Sequence, residues 1–252
     1  MTEPRSFRVE AVVLRHADWG EADRLLTLYT RERGKVRAIA KGARKIRSRK
    51  AGHLEPFTRV TLQLARGRDL LIVTQADTVD AYLPIHENLV KTSHAAYVVE
   101  LLDRFTYEDD SENYNIYRLL TEALARLEKE ADPWLAIRYY EIQLLDLLGY
   151  RPHLFECANC GREIKAEDQF FSAALGGVLC PACGYGLPGV WNVSVEALKY
   201  LRHFQRSDYA AAQRARPASE IQSEVEALLQ RYVTYLLERA LNSPEFINQI
   251  KK

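Results

Sequence analysis

Residues 57–77, FTRVTLQLARGRDLLIVTQAD, alternate apolar and polar groups on both sides of a single break. Val60, Leu62 and Leu64 fall on one side of an extended chain, and Arg59, Thr61 and Gln63 on the other. A period of two is the pattern of a strand with one dry face. Arg66-Gly67-Arg68 stands where a tight hairpin would return the chain. Strands are therefore predicted over about 57–65 and 69–77, and three more alternating runs precede them at about 7–15, 24–30 and 35–41. Trp19-Gly20-Glu21 and Arg33-Gly34 separate the first three. The stretch 42–56, with Gly42, Gly52 and Pro56, is a long third connection with room for a short helix. Five short strands in about seventy residues bury one face only by closing, or nearly closing, into a barrel. The pattern predicts an OB-fold; an SH3-like barrel has the same strand count and is the alternative.

Past Asp80 the period lengthens to that of helices. Residues 86–107 carry Leu89, Ala96, Val99, Leu102 and Phe105, and residues 112–130 carry Ile116, Leu119, Leu120, Ala123, Leu124 and Leu127. A third helix over 133–148 opens with Pro133 after Asp132 and closes at Gly149. Two more follow at about 194–206 and 219–241, the second with Ser219 and Gln222 spaced as a capping box. The expected architecture is α+β. It comprises an OB-fold nucleic-acid-binding domain over 1–80, an all-α domain in two parts (81–152 and 191–252), and a four-cysteine zinc-ribbon insertion at 153–190.

Composition narrows the class. Of 252 residues, 47% are hydrophobic and 27% charged, with 12 Gly and 9 Pro, which excludes a collagenous, low-complexity or largely disordered chain. The longest uncharged apolar stretches, such as Phe170 to Leu179, fall well short of the ~20 residues of a membrane helix. Phe7 to Leu14 reads as a strand rather than a signal peptide, so a cytoplasmic address is expected.

The charge totals, 35 Lys+Arg against 34 Asp+Glu, conceal an uneven distribution. Residues 1–80 carry a net +7, residues 81–156 a net −7, and residues 157–252 a net +1. The excess is concentrated in residues 31–50, RERGKVRAIAKGARKIRSRK, where ten cations meet the single acid Glu32. Val36, Ala38 and Ala40 share one face of the third strand, and Lys35, Arg37 and Lys41 the other. Lys35, Arg37 and Lys41, with Arg44, Lys45, Arg47, Arg49 and Lys50 on the adjoining loop, are the candidate DNA-binding residues. A solvated loop that merely keeps the protein soluble is the plainer reading of such a run. About five phosphate contacts on a single strand would give log K against log salt a slope of roughly −3.5. Tyr29, on the neighbouring strand, offers a ring for base stacking or, more simply, for packing.

All four cysteines fall in one window, Cys157-Ala-Asn-Cys160-Gly161 and Cys180-Pro-Ala-Cys183-Gly184. Two CxxC knuckles suit a closed tetrahedral Zn²⁺ site with no ligand position left for water, hence one structural ion. Disulfides and an iron–sulfur cluster are the rival readings, and His153 is a spare ligand or an ordinary exposed histidine. Phe170-Phe171 and Gly176-Gly177 suggest a small hairpin with almost no core, for which the ion would supply folding free energy. No phosphate-binding loop, dinucleotide turn, HExxH helix, GxSxG elbow or KxDG motif occurs, and the six histidines are scattered. A binding protein, not an enzyme, is expected.

Several segments together resemble one bacterial family. They are Val12-Val13-Leu14-Arg15, Gly20-Glu21-Ala22-Asp23-Arg24-Leu25-Leu26-Thr27-Leu28-Tyr29-Thr30, Gly34-Lys35-Val36, Ala40-Lys41-Gly42-Ala43-Arg44 and Leu54-Glu55-Pro56-Phe57. The chain is similar over its whole length to the RecO family of DNA repair and recombination mediators, most specifically over residues 10–60. The resemblance implies an OB-fold that binds single- and double-stranded DNA and anneals complementary strands. It also implies loading of RecA, together with RecR, onto DNA coated with single-strand-binding protein, whose acidic C-terminal tail docks on the helical domain. A nucleoid-associated location follows from the same likeness, and some members lack the four cysteines. The alternative is an adaptor that binds RNA or protein partners through ribbon and barrel without annealing.

Overall fold

The computed structural model describes residues 5–108 and 114–238, together with 241, 243, 244 and 247. Strands β1 (Ser6–Trp19), β2 (Asp23–Thr30), β3 (Gly34–Ala40), β4 (Arg59–Arg66) and β5 (Leu71–Asp80) close into a barrel in the order β1-β2-β3-β5-β4. β1 is longer than its sequence pattern suggests because it serves two neighbours. Ser6–Val12 pairs with β4 and Ala11–Trp19 with β2, with a register shift between Val13 and Arg15. The seam is a short parallel pairing of Ala38 with Leu71 and Ile39 with Ile72. This order is the five-stranded Greek-key arrangement of an OB-fold, as expected.

The alternating apolar residues fill the barrel. Leu26, Leu28, Val60, Leu62 and Leu64 are fully buried, and Ala38 and Ala40 keep the β3 wall thin on the inside. Because β5 lies between β3 and β4, the 41–58 connection has to cross one end of the barrel. It does so by sinking Ala43 and Leu54 into the core, with a short 3-10 turn at Ala51–His53.

Three helices follow, α1 (Leu83–His86), α2 (Leu89–Phe105) and α3 (Tyr114–Lys129). Asn88 caps α2 by accepting from the Val90 and Lys91 amides. At the other end of α2, Asp103 pairs with Arg15 of β1 at 3.1 Å and with Lys35 of β3 at 2.7 Å. On α3, the Tyr117 hydroxyl donates to Glu10 of β1 at 3.0 Å, and Glu10 also receives the Arg59 guanidinium of β4. The expected domain boundary at residue 80 therefore does not coincide with a boundary between compact units. One unit comprises residues 1–131 with 242–252, and the other residues 132–241.

The second unit contains α4 (Trp134–Leu147), β6 (Gln169–Ser172), β7 (Gly177–Leu179), α5 (Pro181–Gly184), β8 (Val190–Val193), α6 (Val195–Arg206), α7 (Tyr209–Ala212) and α8 (Ser219–Leu237). α4 stops as predicted: Gly149 takes a φ of +81°, and the Tyr150 amide reaches back to the Leu145 carbonyl at 2.8 Å. The capping box expected for α8 does not form. Ser219 is already inside the helix, Ala218 is the N-cap without a side-chain bond, and the Gln222 side-chain amide donates to the Pro217 carbonyl at 3.2 Å. The expected hairpin is present as β6 and β7, and β8 adds a third strand in the order β7-β6-β8. Nor is this sheet coreless: Phe171, Val178 and Leu179 are fully buried, and the Phe171 ring lies edge-on to Tyr232 of α8 at 5.3 Å.

Two carboxylates of the barrel connect its fold to pH. Burial alone would raise the Glu10 carboxyl, but hydrogen bonds from Arg59 and Tyr117, with the charges of Arg59 and Arg31, hold it below the ordinary range. Glu55 is lowered in the same way by Arg24 and His16, again against its own desolvation. A carboxylate with a depressed folded pKa stabilises above its unfolded pKa, and that stabilisation disappears as pH falls through the folded value. Glu10→Gln is expected to cost about 1 kcal/mol at neutral pH and to flatten the acid limb. Denaturant midpoints measured from neutral down to about pH 3 check this, and a variant with an unchanged acid slope would show Glu10 to be uninvolved.

Candidate metal centre and nucleic-acid interface

The four cysteine sulfurs converge. All lie within 4.8 Å of one another, and Cys160 Sγ is 3.9 Å from Cys180 Sγ. Thiolates about 2.3 Å from a central ion would stand about 3.8 Å apart at tetrahedral geometry, so the cluster has the size of a structural metal site. Gly161, with φ +71°, makes the first knuckle by returning its amide to the Cys157 carbonyl at 2.8 Å. Gly184 has another reason to be glycine, since a Cβ there would meet the Phe170 ring at 2.4 Å. The Arg162 guanidinium donates to Cys160 Sγ at 3.4 Å, and the Cys180 amide to Cys157 Sγ at 3.4 Å. The hydrogen bond from Arg162 lowers the Cys160 thiol to about 6. At Cys183 the Asn159 amide favours the thiolate, but the adjacent sulfurs of Cys180 and Cys160 outweigh it and push the thiol up to about 11. Four sulfurs at this spacing match a site in which a bound cation would hold all of them as thiolates. His153 is exposed, pairs through its backbone with Gly176 and Val178, and is outside the cluster.

The eight basic candidates separate into three environments. Lys35 is only 13% exposed; its ammonium donates to the Asp103 and Thr106 carbonyls at 2.6 and 2.9 Å while approaching the Asp103 carboxylate. It caps the C-terminus of α2, where carbonyls lack helical partners and the dipole favours a cation. Arg37 pairs with Glu108 at 2.5 Å and Arg44 with Asp18 at 3.1 Å, both at the surface, and half-buried Lys50 donates to the Val73 carbonyl at 3.1 Å. Lys41, Lys45, Arg47 and Arg49 are exposed and have no internal partner among the described residues.

The loop that carries the latter cations is ordered by its backbone. The Arg44 amide bonds the Ala22 carbonyl, the Lys45 amide the Gly42 carbonyl and the Ser48 amide the Lys45 carbonyl, while the Gly42 amide reaches Asp23. Tyr29 is buried and unavailable to a base.

A second basic surface escaped the sequence reading. Arg33, Arg37, Arg66 and Arg68 line a cleft of about 370 Å³ with Phe7 and Glu108. Arg33 lies over the Phe7 ring at 4.0 Å, and exposed Arg68 has no internal partner among the described residues. Arg66 and Arg68 flank the hairpin glycine, and only the parallel β3–β5 seam brings them beside β3.

A closed OB barrel bearing a cationic loop and cleft, in a chain that also brings four thiols to metal-site spacing, fits the class of OB-fold proteins with an added thiol cluster. The comparisons specify which. The family model described as "Recombination protein O N terminal" matches residues 1–82, and that described as "Recombination protein O C terminal" matches residues 86–245. "DNA repair protein RecO" of a Roseiflexus species is 39% identical over 98% of this chain and 87% of its own length. The protein of that name from Dehalococcoides mccartyi is 37% identical over 95% and 94%, and that from Symbiobacterium thermophilum 34% identical over 97% and 98%. The chain belongs to the RecO family of DNA repair proteins. No described helix is long and apolar enough to cross a membrane.

Two measurements separate fold from interface. Lys35→Met is expected to lower stability by about 2 kcal/mol, because it leaves Asp103 and two helix-end carbonyls short of their cation. An unchanged melting temperature would remove Lys35 from the barrel–helix joint. Cys157→Ser is expected to lose the bound metal in elemental analysis and to lower the melting temperature while retaining most far-ultraviolet circular dichroism, since the sheet packs on α8. Complete unfolding would show that the metal, not Phe171 and its neighbours, holds that unit together.

Proposed function

We propose that this protein binds single- and double-stranded DNA on the barrel, anneals complementary strands, and helps load RecA, with RecR, onto DNA coated with single-strand-binding protein. The observation that carries the reading is the set Lys41, Lys45, Arg47 and Arg49, exposed on an ordered loop without internal partners among the described residues. Annealing makes and breaks no covalent bond. It requires that two polyanions approach with their repulsion screened and their base edges left open, and cations that grip backbones meet that requirement. Arg37 and Arg44 can join them, because exposed ion pairs are worth at most about 1 kcal/mol and a phosphate can displace Glu108 or Asp18. Lys35 is assigned to the fold instead. The cleft of Arg66 and Arg68 offers further cations on the β4–β5 hairpin, a connection that OB-folds use for oligonucleotides.

Zn²⁺ is the proposed ion of the thiolate site, with a structural role. The four sulfurs supply the complete ligand set, Arg162 offsets part of their charge, and no position remains for a substrate. An iron–sulfur cluster would instead give visible absorption and iron in elemental analysis.

Each of Lys41→Gln, Lys45→Gln, Arg47→Gln and Arg49→Gln is expected to weaken single-strand binding to a similar degree for all sequences. Each lost contact should reduce the magnitude of the salt slope by about 0.7. The quadruple variant should lose annealing of complementary oligonucleotides coated with single-strand-binding protein. Annealing at the original rate, with an unaltered salt slope, would reject the loop as the DNA grip.

A further inference from the structure

Within the basic loop stands one side chain whose chemistry the phosphate grip does not use. Ile46 is 105% exposed, between Lys45 and Arg47, in a loop that withdraws Ala43 and Leu54 into the barrel core. The exposure does not come from a slack chain. Successive turns, closed by Lys45 to Gly42 at 3.1 Å and Ser48 to Lys45 at 2.8 Å, present Ile46 outward from a backbone tied to the β1–β2 turn through Arg44 and Ala22 at 2.9 Å. That turn in turn displays Trp19, 48% exposed. Ile46 thus projects from a tethered loop between two cations, while Trp19 stands exposed at the end of β1 beside that turn.

Resting on the reading of this loop as a DNA grip, we infer that Ile46 is a wedge that enters the base stack at an opened step, such as a junction between duplex and single strand. A polyanion bound by Lys45 and Arg47 on either side brings its backbone against this loop, and its only apolar surfaces are the base faces, exposed where stacking is broken. Inserted aliphatic side chains hold such steps open. The contact has no hydrogen-bonding group, so it selects DNA form rather than sequence. Trp19, at the end of β1 beside the turn that Arg44 reaches, offers a ring face to a displaced base. For annealing, a wedge keeps the bases of a held strand unstacked, ready for a complement. Burial of an isoleucine side chain supports an affinity gain of about tenfold or more for opened over fully stacked DNA.

The test uses the full-length protein with oligonucleotides that carry 2-aminopurine at a duplex–single-strand junction, whose fluorescence rises on unstacking. The wild-type protein should raise the signal. Ile46→Ser should bind single strands within about twofold of wild type and keep the salt slope, yet lose the fluorescence rise and the roughly tenfold preference for junctions over blunt duplex. Ile46→Phe should restore both. Because Ile46 packs against nothing, melting temperatures should be equal. An undiminished rise with Ile46→Ser overturns the wedge while leaving DNA binding intact, whereas absence of DNA binding by the wild-type protein overturns the grip and the wedge together. Vesicles containing phosphatidylglycerol form a second arm. Loss of vesicle binding by Ile46→Ser, with DNA signals unchanged, would assign the residue to an anionic membrane surface instead.

Discussion

The crossing of the barrel end by the 41–58 connection is the constraint from which the surface follows. A strand order that places β5 between β3 and β4 forces the chain to bridge a hydrophobic opening, and the bridge is held by two buried residues, Ala43 and Leu54. Between those anchors the chain is short, turned and tied to the β1–β2 turn, so Lys45, Arg47 and Arg49 face solvent while Arg44 reaches Asp18 and Lys50 the Val73 carbonyl. A basic sequence in a free tail would reach an anion by paying conformational entropy. Here much of that ordering is already complete.

The same barrel explains why the cations are not equivalent. Period two puts Lys35, Arg37 and Lys41 on one face, but α2 covers the lower part of that face and leaves the upper part bare. Lys35 meets a helix end, Arg37 meets the surface acid Glu108, and Lys41 meets water. Asp103 is the pivot of this gradation, because it joins Arg15 and Lys35 from two different strands to one helix. Much of the acidity of residues 81–156 is an ordinary wet face, yet two of its members fix which basic residues remain exposed.

Strand positions, helix periods and the cysteine pairs were legible in the sequence because each is a local pattern. Alternation located Val60, Leu62 and Leu64 on the inner face, and CxxC spacing located the metal ligands. What escaped depends on long-range pairing. The β3–β5 seam, which brings Arg66 and Arg68 beside Arg37, leaves no local trace in either strand. The partnership of Lys35 with the end of α2 spans 68 residues of chain. The failed capping box at Ser219 shows the local limit: two residues at the right spacing compete with a helix that starts one position earlier, and the backbone decides. β8 was missed because four residues, VWNV, carry too few alternations to stand out.

The packing of Phe171 against Tyr232 bears on how such chains diversify. A metal held by the four thiols would pin two loops onto a sheet already braced by a helix, and so would add to the architecture rather than found it. Loss of the thiolates would then call for redesign of the knuckle turns alone, because the contact of Phe171 with Tyr232 would remain to hold the scaffold. Cysteine content should then vary among descendants more freely than the aromatic pair beneath it.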